Sequence, residues 1–377
     1  MSERIRAQTA PGVYIHVPFC LRKCPYCDFY SLTGADDAQM DAYVKTVCRV
    51  LDEAGRRGFS GADTLYFGGG TPSLLGGKRL SSLLFAARPL LTAEAEITLE
   101  ANPADDLRET LCAFAAAGGN RLSMGMQTAD ERELLALGRR HTPQALFRAA
   151  ADARAAGIEN ISLDMMLGIP GQTPASVEAT AAACRRLGAA HVSAYLLKLE
   201  PGTPFGQHPP ALPDEEATAD LYLTACAALE REGYRQYEIS NFAQPGRQSR
   251  HNRKYWEGAP YLGIGPAAHS FLDGKRLAYA RSLSAFLRGD PPLFEDPDDR
   301  ALPDGSPEEY AMLRLRLTEG LREADFSARF GCALPAAWRE RAAALPDRLV
   351  TVDGDGIRLS REGFLLSNTL ICRILLP

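Results

Sequence analysis

Residues 12–29 read GVYIHVPFCLRKCPYCDF. An apolar run typical of a buried strand leads directly into Cys20, Cys24 and Cys27, which are separated by three and then two residues. This spacing lets one loop direct three thiolates at a compact metal centre, as closely spaced cysteines do in iron–sulfur proteins. The other six of the nine cysteines are scattered singly, and we expect them to be small buried hydrophobic residues. The stretch therefore predicts a metal centre at the end of a strand.

Zinc is the alternative to an iron–sulfur cluster at these cysteines. Structural zinc sites use four ligands, commonly as two separated pairs, and the sequence has no second pair. His16 could complete a zinc site, but it lies four residues before Cys20 within the predicted strand. In a 4Fe-4S cluster, three thiolates leave one iron open, and that iron can bind the amino and carboxylate groups of an amino acid. The sequence favours the cluster.

Six short apolar runs alternate with helical patterns along the first part of the chain. Continuous apolar strands are typical of parallel sheets covered on both faces, and several of the intervening helical segments end in glycine. Six β–α units in a row predict an α/β fold with a partial (β/α)6 parallel barrel. The predicted strands are 12–18, 64–70, 96–102, 121–127, 160–170 and 191–201.

Three segments are expected along the chain. Residues 1–240 form the barrel core, and 241–300 form a connecting segment with the motifs HNRKYW and GIGPAAHS. The Pro- and Asp-rich stretch 289–307 is typical of a linker. After it, residues 301–377 combine an amphipathic pattern, two short strands around a Gly turn and a last helix, which predicts a small C-terminal α+β domain of winged-helix type.

Composition and charge are those of an ordinary globular protein. Of the 377 residues, 46% are hydrophobic and 24% are charged, and the net charge of −5 gives no electrostatic reason to expect nucleic acid or an anionic membrane as a partner. The polar start MSERIRAQTAPG lacks the apolar stretch of a secretory signal, and no run reaches the ~18 apolar residues of a spanning helix. We expect a cytoplasmic protein that does not bind nucleic acid.

Glycines and polar residues stand at the ends of the predicted strands, where chemistry collects in β/α barrels. The second strand ends in Gly68-Gly69-Gly70-Thr71-Pro72, whose backbone can approach a ligand closely, although a plain tight turn is the alternative. Glu100, Gln127 and Asp164 lie at the ends of the third and fourth strands and within the fifth. Polar residues in apolar strands are costly unless paired, so three on consecutive strands favour a shared polar ligand.

The CxxxCxxC loop after a first strand resembles the radical S-adenosylmethionine (SAM) superfamily, and GGGTP resembles its segment that binds the methionine part of SAM. Over about residues 12–375 the chain resembles the oxygen-independent coproporphyrinogen III oxidase family. This resemblance implies a barrel of radical SAM type, a 4Fe-4S cluster and SAM. The SAM contacts that it implies are Tyr14, Tyr26, Gly69, Gly70, Thr71, Glu100, Gln127, Arg139, Asp164 and Lys198. For Arg139, the alternative is a solvated helix end.

Two departures separate the chain from the true oxidases of that family. The oxidases have the pattern CxxxCxxCxC, but Phe29 occupies the last position here, and they carry a longer N-terminal extension. Both departures argue against porphyrinogen decarboxylation. The CDF form, together with HNRKYW (251–256) and GIGPAAHS (263–270), resembles the HemW branch, whose members are regarded as heme chaperones.

The resemblance to that branch implies that the chain binds heme and passes it to an acceptor protein, which the sequence does not identify and which could be membrane-bound. A neutral imidazole is a natural axial ligand of heme iron, so His251 is the candidate ligand, with Tyr255 and Trp256 packing on the macrocycle. HNRKYW as a structural turn with a buried Trp is the alternative, and His269 and Cys226 are weaker ligand candidates. A radical SAM enzyme acting on a porphyrinogen and a structural zinc protein are the competing functions.

Overall fold

The computed structural model describes residues 10–103, 106–294 and 302–376. Its strands are β1 (Gly12–Val17), β2 (Ala62–Gly69), β3 (Leu91–Ala101), β4 (Arg121–Gln127), β5 (Asn160–Leu167), β6 (His191–Leu196), β7 (Arg235–Gln236), β8 (Asn241–Ala243), β9 (Tyr261–Ile264), β10 (His269–Leu272), β11 (Lys275–Ala278), β12 (Leu293–Phe294), β13 (Leu321–Arg322), β14 (Val350–Asp353) and β15 (Gly356–Leu359).

The α-helices are α1 (Asp37–Arg56), α2 (Gly76–Ala87), α3 (Arg108–Ala116), α4 (Glu131–Ala136), α5 (Pro143–Ala155), α6 (Pro174–Arg186), α7 (Pro204–Gln207), α8 (Glu215–Arg231), α9 (Arg250–Trp256), α10 (Leu283–Arg288), α11 (Pro307–Arg314), α12 (Glu323–Phe330), α13 (Ala336–Ala343), α14 (Arg361–Leu365) and α15 (Ser367–Leu375). Short 3-10 helices cover Pro72–Leu75 and Arg88–Leu90. None of the helices in the described ranges is long and apolar enough to cross a membrane.

Strands β1 to β6 lie side by side in chain order and run parallel, which confirms the predicted α/β fold. The helices between them begin at residues whose side chains accept a hydrogen bond from the first turn. Asp36 caps α1 in this way, and Thr142 and Thr173, each followed by proline, cap α5 and α6. Local sequence signals thus determine where these helices begin.

The sheet extends well beyond these six strands. Its order is β12-β11-β10-β9-β1-β2-β3-β4-β5-β6-β8-β7, with β9 parallel to β1 and β8 antiparallel to β6. The strands flanking the core come from residues 235–294, most of which the sequence presents as a connecting segment. They are only two to four residues long, so they carry too few residues to show an alternating pattern.

Each central strand has one apolar and one polar face. The sequence had predicted apolar strands that are covered on both faces of the sheet. The outer residues Val13, Ile15 and Val17 of β1 are fully buried in the apolar core. On the other face, Tyr14 pairs in register with Tyr66 of β2. The same face carries, on later strands, Thr98, Glu100, Arg121, Ser123, Ser162, Asp164 and His191. The barrel interior is therefore polar.

Residues 302–376 contribute a second sheet in addition to helices α11 to α15. Strands β13, β15 and β14 pair antiparallel in that order, and this small sheet with its helices confirms the predicted C-terminal α+β unit. Two backbone hydrogen bonds join the unit to the core, from Ile239 N to Arg316 O (3.0 Å) and from Thr318 N to Tyr237 O (3.1 Å).

Candidate functional site

The cysteine loop follows β1 and is fixed by backbone hydrogen bonds. Cys20 N donates to Leu32 O (2.9 Å), and Leu32 N donates to Pro18 O (2.7 Å). Within the loop, Cys27 N donates to Cys24 O (3.1 Å) in a tight turn. All three cysteines are unpaired and half-buried. The loop therefore presents three thiols that a ligand can reach.

Two polar side chains from other parts of the barrel donate to these sulfurs. Thr71 Oγ1 lies 3.6 Å from Cys20 Sγ, and Arg139 Nη1 lies 3.5 Å from Cys24 Sγ. Partial burial raises the pKa of the Cys20 and Cys27 thiols. A bound metal deprotonates a thiol outright, and the two donors stabilise the resulting thiolates.

The chemistry of this donor set fits an iron–sulfur cluster. Three thiols in one loop supply the sulfur ligands, and a hydroxyl and a guanidinium donate to two of them. Within residues 10–103, 106–294 and 302–376, no group of three or more His, Cys, Asp or Glu side chains is arranged to hold a single metal ion. His16 does not turn to the thiols, because its Nε2 is bonded to the carbonyl of Tyr30 (2.8 Å).

The glycines after β2 lie directly against the cysteine loop. Gly70 N donates to Val17 O (2.8 Å), and a Cβ at Gly70 would stand 2.6 Å from Phe19 O. Gly69 has a φ of +112°, and a Cβ there would meet the His16 ring at 2.7 Å. Only glycine fits at these two positions, so GGGTP is more than a tight turn: it is a close backbone contact that faces the site.

Two buried carboxyl groups lie in the barrel beside this segment. Glu100 accepts hydrogen bonds from Tyr66 Oη (2.8 Å) and Gly69 N (3.2 Å), and burial raises the pKa of its carboxyl group. Burial and, after it, the neighbouring Glu100 raise the pKa of Asp164 to about 7. Burial thus shifts the pKa of both carboxyl groups toward the neutral form.

Gln127 and Arg139 complete the site at the end of β4. Gln127 is buried with a φ of +66° at a register shift in the strand pairing, and its Oε1 accepts a hydrogen bond from Tyr195 (3.1 Å). Arg139 is half-buried, and its Nη2 donates to Gly125 O (2.7 Å). Arg139 therefore joins the strand end to the cysteine loop, and it is not a solvated helix end.

The remaining residues implied as SAM contacts divide into two groups. Tyr14 lies in the interior with its hydroxyl 3.1 Å from His16 Nδ1, and Tyr26 packs in an apolar cluster against Phe205. Lys198 is different, because 81% of its side chain is exposed and its Nζ is ion-paired with Glu200 (2.7 Å). The structure thus brings the implied contacts together apart from Lys198.

His251 lies on α9, inside the barrel and 1% exposed. Its Nδ1 is bonded to Thr64 Oγ1 (2.8 Å) and its Nε2 to Tyr255 Oη (2.9 Å), and the ring stacks on Tyr66 with centroids 5.2 Å apart. Burial lowers its pKa to about 3, so the imidazole is neutral. In this arrangement both ring nitrogens are engaged, and an iron could bind only after one hydrogen bond is released.

The surroundings of His251 exclude the alternative interpretation of HNRKYW. HNRKYW is part of a helix and not a turn, and Trp256 is half-buried with the Arg316 guanidinium 5.8 Å above its ring. Of the weaker ligand candidates, His269 is exposed and Cys226 is buried.

Several residues of the site were not found from sequence. Tyr66, Tyr195, Ser123 and Arg121 all face the polar interior. The sequence does contain one sign of this polar interior, which is the charged Arg121 at the start of an otherwise apolar strand. A charge in such a strand requires compensation by other polar groups.

The chain is similar to known proteins over nearly its whole length. The model of the Radical SAM superfamily matches residues 14–184, and that of the HemN C-terminal domain matches residues 303–366. The chain is 37% identical over 372 residues to the heme chaperone HemW of Escherichia coli (strain K12), which covers 96% of this chain and 97% of that protein. The chain belongs to the HemW family.

Other HemW proteins are similar over nearly the same length. The heme chaperone HemW of Mycobacterium tuberculosis (strain ATCC 25618 / H37Rv) is 36% identical over 377 residues, covering 97% of this chain and 94% of the relative. The solved structure of coproporphyrinogen III oxidase (HemN) from Escherichia coli superimposes with a TM-score of 0.81 at 22% identity, covering 99% of this chain and 91% of that one. This chain and the oxidase thus share a fold.

Proposed function

We propose that this member of the HemW family is a heme chaperone, which binds heme, a 4Fe-4S cluster and SAM and transfers the heme to an acceptor protein. The observation that carries the proposal is the three-thiol loop packed against the glycine segment and the buried carboxyl groups, in a chain similar over nearly its full length to curated heme chaperones. Heme and an acceptor protein are the proposed partners, and the cytoplasm is the proposed compartment.

Cys20, Cys24 and Cys27 are the proposed cluster ligands, which leaves one iron for SAM. When bound, the cluster and SAM supply the redox chemistry of the superfamily, and the protein provides the polar cavity around them. Glycine backbone at positions 69 and 70 would allow close approach of the methionine part of SAM. Acidic side chains of the interior complement the positive sulfonium of SAM.

Phe29 supports a chaperone rather than an oxidase. Its side chain is 67% exposed beside the cysteine loop, and Lys23 Nζ holds its carbonyl oxygen at 3.1 Å. A phenyl ring can neither bind a metal through sulfur nor carry a proton or an electron, as a cysteine at this position could. An exposed phenyl ring at the cluster loop supports contact with an apolar molecule or protein instead.

His251 is the proposed heme ligand, and its ring must release a hydrogen bond before iron can bind. The histidine lies in the proposed connecting segment, residues 241–300, whereas the cluster and SAM residues lie in the proposed core, residues 1–240, and residues 301–377 form the proposed C-terminal domain. Binding of iron at Nε2 would displace the Tyr255 hydroxyl. Heme ligation therefore implies a local opening of α9.

The test is a heme titration of anaerobically reconstituted protein. We expect one heme per chain, with a Soret band that survives gel filtration, in protein that also contains iron and sulfide near four per chain, the content of a 4Fe-4S cluster. His251→Ala should lose this band, and His269→Ala, a change at an exposed histidine, should keep it. Absence of heme binding by the wild type would remove the chaperone proposal.

A radical SAM enzyme acting on a porphyrinogen is the second candidate, favoured by the buried carboxyl groups and Gln127 that converge beside the cysteine loop. Under anaerobic reduction such an enzyme forms 5′-deoxyadenosine in step with modified substrate. We expect slow SAM cleavage that is uncoupled from coproporphyrinogen III, and rapid decarboxylation would favour the enzyme instead.

A further inference from the structure

Arg121 is a buried cation with unused hydrogen-bonding capacity. Its side chain is 1% exposed, and within the described part of the chain neither Nε nor Nη1 has a hydrogen-bond partner. On the neighbouring strands, Thr98 and Asn160 are its partners in register, and the buried atoms Thr98 Oγ1 and Asn160 Oδ1 also have none among the described residues. An isolated buried charge is costly, so other charges must compensate it.

Buried Glu96 precedes Thr98 by two residues on β3, where its carboxylate accepts the backbone N–H groups of Arg250 and His251, and two further carboxyl groups lie beyond Thr98. Glu100 follows Thr98 by two residues on the same face of β3, and Asp164 lies on the same face of β5. Burial raises the pKa of both carboxyl groups, and the Arg121 guanidinium opposes this rise in each. In a buried medium of low dielectric constant, a charge acts strongly without direct contact.

The tyrosines and the histidine around the two carboxyl groups carry no charge. Burial raises the pKa of the surrounding tyrosines and lowers that of His251, so these groups stay neutral. Arg139 also lowers the pKa of Asp164. The titratable and charged groups on the elements around Arg121 and the two carboxyl groups are Tyr14 on β1, Tyr66 on β2, Glu96 on β3, His191 and Tyr195 on β6, Arg139 before α5, Cys184 on α6, and His251 and Tyr255 on α9.

We propose that Arg121 is a positioning residue of the SAM site, whose buried guanidinium supplies the positive charge that balances the carboxylates of Glu100 and Asp164. Ionised Glu100 is the acceptor that holds Tyr66 Oη and the backbone N–H of Gly69, and Gly69 belongs to the segment proposed to meet SAM. Arg121 acts through these groups and need not touch SAM. The inference rests on the proposed SAM site and adds to it the residue that maintains its charge.

The first experiment measures the dissociation constant of SAM between pH 6 and 8.5 in cluster-loaded protein. In Arg121→Met, we expect binding about tenfold weaker at pH 7, because the pH at which affinity falls should move up by about one unit, and one unit corresponds to a tenfold change. Arg121→Lys should restore the wild-type profile, and Arg132→Met, a change at an arginine with 92% of its side chain exposed, should leave it unaltered. Weakening by the same factor at every pH would overturn the proposal.

The second experiment separates this proposal from the proposed function, because it needs neither SAM nor heme. The thermal midpoint of full-length Arg121→Met should fall further below that of the wild type at pH 8.5 than at pH 6, since the uncompensated carboxylates are charged at high pH. Adding Glu100→Gln to the Arg121→Met variant should restore part of the lost thermal stability. If the deficit is independent of pH and unaffected by Glu100→Gln, Arg121 serves only for packing, whether or not the wild type binds SAM.

Discussion

At the scale of single residues, the site depends on groups whose burial changes their chemistry. The thiols of Cys20 and Cys27, the carboxyl groups of Glu100 and Asp164 and the imidazole of His251 all have pKa values shifted toward the neutral form, and burial is the largest cause in each. A ligand that binds the charged form of such a group must therefore offset the cost of ionising it, and its binding moves the pKa back toward the ordinary value.

Cys24→Ala should abolish the cluster, because two thiolates cannot replace three at a cubane. Iron and sulfide after anaerobic reconstitution should drop from near four per chain to background. Cys332 is an exposed cysteine outside the site, so Cys332→Ala is the matched control and should keep the full iron content. Equal losses in both variants would contradict the assignment of the loop.

Asp164 predicts a pH dependence of stability with a defined sign. Its pKa is about 7 in the folded chain against a reference of 3.8, so folding takes up a proton between these values and stability declines as the pH rises from about 4 to about 7. Asp164→Asn should remove this decline, so it should stabilise the chain more at pH 8 than at pH 5. Urea unfolding at both pH values tests this, with the exposed Asp273→Asn as control.

At the scale of elements, strand ends and one helix place the site. The loop after β1, the glycines after β2 and the residues ending β3 and β4 converge because parallel neighbouring strands end at the same edge. Helix α9 fills the other part of the interior, where a Cβ at Gly12 of β1 would meet Lys254 Cδ at 2.9 Å and His251 Cε1 at 3.2 Å. The barrel is thus open to ligand at one edge and packed by α9 near the start of β1.

Gly70→Ala tests the contact between the β2 end and the cysteine loop. The new methyl would overlap Phe19 O, and we expect a loss of about 1–3 kcal/mol in unfolding free energy together with reduced cluster content. Gly202→Ala is the matched control, because no atom lies within 4 Å of a Cβ at that position. A Gly70→Ala protein as stable as this control would show that the contact is not required.

Tyr255→Phe tests whether α9 restrains His251. Removing the hydroxyl releases Nε2, so heme affinity should rise several-fold, while the lost hydrogen bond should lower stability by about 1 kcal/mol. Heme titration and urea unfolding measure the two effects. Tyr310→Phe, at a tyrosine whose ring packs against Phe330, serves as control. Unchanged heme affinity in Tyr255→Phe would argue against ligation through Nε2.

At the scale of the whole molecule, the C-terminal unit is joined to the core at a buried acid. Glu238 is fully buried, pairs in a β-bridge with Leu317 and has its pKa raised to about 7, chiefly by burial. The junction beside it includes the amides of Ile239 and Thr318. Ionisation of Glu238 therefore destabilises the connection between the C-terminal unit and the core.

Hydrogen exchange at the amides of Ile239 and Thr318 should report this destabilisation. Because ionisation of the buried carboxyl costs free energy, the protection of Ile239 and Thr318, corrected for intrinsic rates, should fall from pH 6 to pH 8.5. Glu238→Gln should abolish the dependence, and amides of the central strand β2 should show little change in either protein. Equal pH dependence in the variant would exclude Glu238 as its source.

The six parallel strands, the cysteine loop and most of the residues gathered at the strand ends can be predicted from sequence, because they depend on apolar runs, cap residues and motif spacing, which are local. The strand β3 begins at Leu91 rather than at residue 96, since its first residues are mostly exposed and carry no apolar signal. The short strands flanking the core, the polar interior around Arg121 and the two hydrogen bonds of the His251 ring are visible only in the folded chain. Each of these arises from pairing between segments distant in the chain, which a local pattern does not encode.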